Sequence, residues 1–185
     1  MLGDLIKAGK IRHIGVSNET PWGVMAHLRL TEKSGAPRIQ SIQNPYSLIN
    51  RVFEPGLSEV ALRENVPLLA YSPLAMGVLS GKYLDAAAPA AARITLFRER
   101  YKRFLRARSV AATTSYVALA RAHGLSPAQM AIAFVLSRPF VASAIIGCTS
   151  VAQLEHDAAS IKVKLFPELV AAIDAIHAEN PSPVA

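Results

Sequence analysis

A short apolar strand followed by an amphipathic helix recurs four times along this chain, and that recurrence restricts the fold more than any single motif does. Ile11 to Val16 forms the first apolar run and ends in Ser17 and Asn18; Thr20-Pro21 then supplies an N-cap and a first-turn proline for a helix reaching about Lys33. Ile39 to Ile42 reads as a second strand, closed by Gln43-Asn44-Pro45, with Leu57, Val60, Ala61 and Glu64 at helical spacing behind it. Val66 to Tyr71 reads as a third, ended by Ser72-Pro73. After a longer irregular stretch come helices from about Val110 to Ala122 and from Pro127 to Leu136, the second opened by Ser126-Pro127-Ala128-Gln129 in the pattern of a capping box. Phe140 to Ile146 is the fourth strand, Ser150 caps the next helix with Gln153 three residues on, and a last helix from about Glu168 to His177 stands outside the alternation.

Strands that are apolar throughout, each backed by a helix, are parallel strands covered by helices. Such units build either a segment of a closed barrel or an open doubly wound sheet, and periodicity alone leaves both open. The chain begins on Leu2, Leu5 and Ile6 at helical spacing with Gly9 as a C-cap, an unusual opening for a domain. A (β/α)8 barrel takes about 250 residues. The 185 residues here supply four strands, half of its closed sheet.

With 51% apolar and 18% charged residues the composition is that of a globular chain. No apolar run approaches the ~20 residues of a membrane span, and the N-terminus lacks the basic-then-apolar pattern of a signal peptide. The single cysteine, Cys148, permits neither an internal disulfide nor a cysteine-built zinc site; it reads as a small buried residue beside a strand end, in a reducing compartment. A cytoplasmic protein with no membrane partner and no metal is expected. The net charge of +7 is concentrated, since seven basic residues and only Glu99 lie between Arg93 and Arg108, a local +6. Arginines interleaved with Phe97, Tyr101 and Phe104 raise nucleic-acid binding as a remote alternative. A solvated loop and helix after the third strand accounts for the same residues, and no nucleic-acid partner is expected. Asp85 to Ala92 reads as a flexible loop.

In parallel α/β folds ligands lie at the carboxyl ends of the strands. Those positions are polar here: Ser17-Asn18, Gln43-Asn44, Tyr71-Ser72 and Thr149-Ser150. Amides offer both a donor and an acceptor to a planar carboxamide, and tyrosine offers a face on which a ring stacks. Thr149 and Ser150 precede a helix, whose N-terminus favours an anion. Each residue also has a plain structural account, as a cap, a turn former or a core tyrosine. Only their coincidence on one rim points to a pocket for a planar polar ring with a phosphate.

Four blocks, GKIRHIGVSNETPWGV (Gly9 to Val24), IQNPYSLINR (Ile42 to Arg51), LLAYSPLAMGVLSGKY (Leu68 to Tyr83) and AIIGCTSVAQLEHD (Ala144 to Asp157), resemble the aldo-keto reductase family in order and spacing. The match is closest to the bacterial Tas-like branch, which is also similar to the potassium-channel β-subunits, and it covers essentially the whole chain. The resemblance implies the second half of a (β/α)8 TIM barrel. It comprises strands 5 to 8 as four parallel strand-helix units plus a C-terminal extra helix, in one partial domain over residues 1–185 with the N-terminal half absent. It further implies an NADP-dependent oxidoreductase reducing aldehydes and ketones to alcohols, with NADP(H) as cofactor and a small carbonyl compound as substrate.

By the same resemblance Ser17, Asn18 and Gln43 hold the nicotinamide carboxamide and Tyr71 stacks on its ring. Ser72, Leu74, Met76, Gly77 and Ser80 line the pyrophosphate path, with Lys82 and Arg93 near the phosphates. Thr149, Gln153 and Asp157 fall at the adenosine end, where His156-Asp157 replaces the family's usual Glu-Asn pair. The family's catalytic tyrosine, lysine, aspartate and histidine belong to the first half of the barrel, and no segment here resembles their blocks. No catalytic residue is therefore assigned, and the chain by itself is expected to be inactive. A non-catalytic NADP(H)-binding or regulatory module is the alternative. A half barrel would also present open strand edges, through which self-association is expected.

Overall fold

A computed structural model describes residues 2–84 and 88–184, so residues 85–87 of the expected loop lie outside the described residues. Strands β1 (Ile14–Ser17), β2 (Ile39–Pro45), β3 (Leu68–Tyr71) and β4 (Val141–Ile145) form one parallel sheet in the order β1-β2-β3-β4. That order decides between the two architectures left open by periodicity. A doubly wound sheet reverses its strand order at a switch point, whereas a barrel adds each strand beside the last. The sheet adds them consecutively and is half of a (β/α)8 barrel.

The helices follow the expected alternation: α1 (Leu2–Lys7), α2 (Pro21–Ser34), α3 (Leu57–Arg63), α4 (Arg93–Leu96), α5 (Arg98–Tyr101), α6 (Ala107–Ala122), α7 (Pro127–Leu136), α8 (Val151–Ala158) and α9 (Pro167–Glu179). Thr20 caps α2 by accepting from the Gly23 N–H at 3.1 Å, with Pro21 in the first turn. The first strand is shorter than the apolar run suggests. The N–H groups of Lys10 and Ile11 both return to the Leu5 carbonyl past Gly9 at φ +68°, so Ile11 closes α1 instead of opening β1. The capping box expected at Ser126 does not form. Ser126 makes no side-chain cap, and Gln129 turns away to donate to the His156 carbonyl at 2.8 Å, tying α7 to α8.

Coverage of the sheet is one-sided. Ile39, Ile42, Leu68 and Ala70 point into the helical layer and are buried, while Ser17, Gln43, Tyr71 and Ile145 share the opposite face and are exposed or half-buried. The edge strands β1 and β4 contain no fully buried residue, so the expectation of uniformly buried strands fails there. On the helical side an aromatic cluster fills the core: Tyr46 lies edge-on to Phe140 at 5.3 Å and stacks on Phe134 at 6.0 Å, and Phe53 stacks on Phe140 at 5.3 Å.

Arg51, 7% exposed, joins this core to the C-terminal helix. Its Nε and Nη2 donate to the two Glu54 carboxylate oxygens at 2.8 and 2.9 Å, and Nη1 donates to Asp174 of α9 at 2.7 Å. The guanidinium lies 5.1 Å from the Phe134 ring centre, and the backbone N–H of Arg51 donates to Ser182 Oγ at 3.0 Å. The Tyr46 hydroxyl donates to the same Glu54 oxygen; burial first, then the Glu54 carboxylate, pushes this phenol far above its usual range, so it acts as a donor. Burial and the Arg51 charge hold the nearby His177 imidazole below its ordinary range.

Among the described residues no helix is long and apolar enough to cross a membrane, and no group of three His, Cys, Asp or Glu could hold a metal. Arg51→Met leaves Glu54 and Asp174 without their shared cation. Because Asp174 remains half-exposed, the loss is expected at the low end for a buried pair, about 3 kcal/mol in urea denaturation. A loss under about 1 kcal/mol would reduce the network to an ordinary surface pair.

Candidate functional site

At the carboxyl ends of β3 and β4 the fold opens a cleft of about 690 Å³, within the range of small-molecule and cofactor sites. Its first wall is the segment from Tyr71 to Lys82 together with Arg93; its second runs from Ile145 to Asp157; Ser126, just before α7, and Ala128 of α7 also line it. Eleven of the residues singled out from the sequence line it: Tyr71, Ser72, Leu74, Met76, Gly77, Ser80, Lys82, Arg93, Thr149, Gln153 and Asp157.

Ser17, Asn18 and Gln43 lie beside the cleft on the ends of β1 and β2. The Gln43 carbonyl accepts from Ser17 Oγ at 2.9 Å and from the Asn18 N–H at 3.0 Å. Asn18, at φ +56°, presents its Oδ1 to the Tyr71 hydroxyl, which donates at 2.8 Å. That bond links the β1 end to the cleft wall and commits the Tyr71 proton, leaving the ring face as the free surface. The adjacent Asn44 is structural: its amide exchanges bonds with Glu19, donating to the carbonyl at 3.0 Å and accepting from the N–H at 3.2 Å.

The first wall carries concentrated backbone strain. Ser72, Ala75 and Met76 all have left-handed φ, at +57°, +48° and +61°, and Gly77 follows at +89°. Non-glycine residues avoid this region, so a run of them means the surrounding contacts enforce it. Ala75, Val78 and Leu79 are buried and anchor the turn, the Ala75 N–H donates to the Ser72 carbonyl at 2.8 Å, and Ser80 Oγ donates to the Gly77 carbonyl at 2.8 Å. The Ser80 hydroxyl therefore braces the turn. Lys82 folds back over Gly77: a Cβ there would lie 2.8 Å from Lys82 Cε and 3.0 Å from Nζ. Arg93 reaches the same wall, its Nη1 3.7 Å from Met76 Sδ. A bare α-carbon with two cations beside it is a surface that an anionic chain can approach closely.

On the second wall Ser150 caps α8 by accepting from the Gln153 N–H at 3.2 Å. The reciprocal half of the box is displaced by one residue, because Gln153 Oε1 accepts from both the N–H and the hydroxyl of Thr149 at 3.0 Å. Cys148 is half-buried and polar in role rather than a packed apolar residue. Its thiol donates to Asp157 Oδ2 at 3.8 Å, while His156 Nδ1 lies 3.1 Å from Oδ1. Partial burial and the Asp157 carboxylate push the Cys148 thiol up, so it stays protonated. Asp157 thus sets a negative charge into a cleft whose described residues also include Lys82 and Arg93.

Sequence reasoning missed Ser126, Ala128, Ile146, Gly147 and Ala91 as cleft residues. Ser126 and Ala128 open α7, and no strand end precedes them to mark them. The arrangement offers a flat aromatic face, amides at one end, and Lys82 and Arg93 along a strained turn. It can hold a planar amide-bearing ring and its anionic extension.

A model of the aldo/keto reductase family matches residues 1–178. The chain belongs to the aldo/keto reductase family. The Tas protein of Escherichia coli is 52% identical over 176 residues, covering 95% of this chain and 51% of its own length. A versiconal hemiacetal acetate reductase of Aspergillus parasiticus is 33% identical, over 90% of this chain and 48% of its own. A probable voltage-gated potassium channel β-subunit of Oryza sativa is 38% identical over 120 residues, covering 62% of this chain and 36% of its own. The chain spans about half the length of the curated relatives it matches.

In this aldo/keto reductase chain the strained turn makes Gly77 harder to replace than Gly147. Gly77→Ala puts a side chain at φ +89° against Lys82 and is expected to cost about 1–2 kcal/mol in urea denaturation. Gly147→Ala meets nothing within 4 Å and should cost under about 0.5 kcal/mol. Equal effects of the two would mean the turn holds no strain.

Proposed function

We propose that this chain forms the cofactor-binding half of an NADP(H)-dependent aldo-keto reductase, an oxidoreductase that converts aldehydes and ketones to alcohols. The observation that carries the reading is the cleft itself, in which eleven residues chosen from strand ends and family blocks converge on one continuous surface. In this reading the domain supplies strands 5 to 8 of the barrel, and its location is cytoplasmic.

The cofactor, when bound, supplies a hydride for the carbonyl carbon; the chain's own residues place it. Ser17, Asn18 and Gln43 orient the carboxamide, and Tyr71 presents its ring face. Holding the reacting atoms in line is worth several kcal/mol of a barrier, roughly 7–11 in the best cases. The turn from Ser72 to Ser80, with Leu74, Met76 and Gly77, follows the pyrophosphate, and Lys82 and Arg93 neutralise phosphate. Thr149 and Gln153 meet the adenosine end. Lys82 and Arg93 meet the pyrophosphate that NAD(H) and NADP(H) share, so the preference for NADP(H) in this reading rests on the family resemblance, with the Asp157 charge at the adenosine end opposing a 2′-phosphate.

Reduction also needs a proton at the carbonyl oxygen, delivered by a group of tuned pKa. Tyr71 is a poor source, because its hydroxyl already donates to Asn18. We therefore assign this chain no catalytic acid and expect it to bind cofactor without turning over. The uncovered sheet face and the β1 and β4 edges are proposed to meet further strands, a second copy of this chain among them.

Titration of the 185-residue chain with NADPH, followed by its fluorescence, is expected to saturate. Lys82→Met should weaken binding about tenfold, since a charge-assisted hydrogen bond is worth roughly 1.5–3 kcal/mol. No binding at millimolar NADPH rejects the cofactor reading. Sedimentation velocity on the same sample is expected to show species larger than the monomer, and a single monomer peak sinks self-association through the open edges.

A further inference from the structure

The seven basic residues between Arg93 and Arg108 are absorbed only in part by the cleft, which uses Arg93 alone. The rest lie on a scaffold that is firmly anchored. Ile94 and Phe104 are buried, the Ile94 N–H donates to the Tyr83 hydroxyl at 3.1 Å, and Ser109 Oγ donates to the carbonyls of Arg103 at 2.9 Å and Pro183 at 3.2 Å. Arg98, Arg100, Lys102, Arg103, Arg106 and Arg108 are all exposed. Their charge is scarcely neutralised. Among the described residues the one ion pair within the segment joins Lys102 to Glu99 at 3.4 Å, and both groups are exposed.

Two of these charges are placed where the backbone disfavours them. Arg106 is the residue before α6 and Arg108 stands in its first turn, with no acidic residue there and no side-chain cap. A cation at a helix N-terminus opposes the helix dipole and lowers stability. Local choices that cost stability without a visible structural return mark functional positions. The interleaved aromatics do not provide that return as stacking platforms. Phe104 is buried, Tyr101 is half-buried with Arg100 5.7 Å from its ring centre, and only Phe97 is free, which argues against single-stranded nucleic acid.

The segment does begin at the cleft, whose lining includes Pro89, Ala91, Ala92 and Arg93. We propose that Arg98 to Arg108 is an electrostatic collar that draws the polyanionic dinucleotide into the cleft, raising its association rate without touching it when bound. This rests on the NADP(H) reading above. Fixed charge of one sign beside a cleft raises the encounter rate of an oppositely charged ligand, by about 10- to 1,000-fold in favourable cases, and salt screens it over a Debye length of about 10 Å at 0.1 M.

The test is stopped-flow fluorescence of NADPH binding to the full chain and to the triple variant Arg98→Gln, Arg106→Gln and Arg108→Gln, which leaves Lys82 and Arg93 untouched. At about 20 mM salt the variant is expected to associate about tenfold more slowly with its dissociation rate changed less than about twofold, and at 0.5 M salt the two proteins should converge. Replacing the same three arginines by lysine should restore the rate. The glutamine variant should melt no lower than the parent, because two of the removed cations opposed the α6 dipole. NADH, lacking the 2′-phosphate, should show a shallower salt slope. Unchanged association rates at low salt, or a loss confined to dissociation, overturn the collar while leaving the cofactor reading standing; absence of any NADPH binding by the parent chain overturns both.

Discussion

The parallel ladder imposes the constraint on which everything else rests. Pro45 pairs with Tyr71 and Tyr71 with Ile145, while Ser17 pairs with Gln43. Because every strand runs the same way and each is added beside its predecessor, the carboxyl ends fall on one rim. Side chains distant in sequence, Asn18 and Tyr71 above all, come within hydrogen-bonding distance there without any specific long-range motif. The helices that return the chain cover one face and leave the other to the rim residues, so a polar face of the sheet is a consequence of topology before it is a feature of a site.

Against that order the Arg51 network does a different job. A parallel unit ends wherever its last helix ends, and nothing in the ladder holds α9. Arg51 bridges Glu54 on the β2 loop to Asp174 on α9 beneath the Phe134 ring, and so fastens the C-terminal helix to the sheet's helical layer. Such a pair is worth little net of desolvation but is expensive to break, so it specifies where α9 docks more than it adds stability. Because Asp174 is exposed on one side, the network stays partly hydrated, and the cost of burial falls on the guanidinium and the Glu54 carboxylate.

The fold was legible where apolar periodicity and punctuation agreed. Thr20-Pro21 marks the start of α2, Pro127 that of α7 and Ser150 that of α8, and each helix begins there. Misreadings came where one residue type serves two physical roles. Ile11 belongs to an apolar run yet closes α1, because a backbone bond to Leu5 outweighs strand pairing at that end. Gln129 stands at capping distance from Ser126 yet reaches α8, since a tertiary carbonyl competes with the local N–H. Of the eleven cleft residues singled out in the sequence, strand-end polarity marked Tyr71, Ser72 and Thr149, and the family resemblance marked the other eight. What no pattern announced was the left-handed run from Ser72 to Gly77 and the fold-back of Lys82, which depend on packing beneath the turn.

That turn extends the strand-end rim: of its residues strand-end position marks Ser72 alone, while the family resemblance picks out Leu74, Met76, Gly77 and Ser80. Three left-handed non-glycine residues in close succession are tolerated only where buried anchors, here Ala75, Val78 and Leu79, over-determine the path. Once fixed, the path sets Gly77 against Lys82 and brings Met76 within 3.7 Å of Arg93, so two cations lie along the turn. On the far wall Asp157 accepts from the Cys148 thiol, and its other carboxylate oxygen lies 3.1 Å from His156 Nδ1. The cleft is consequently cationic along its strained turn and carries the Asp157 carboxylate along α8.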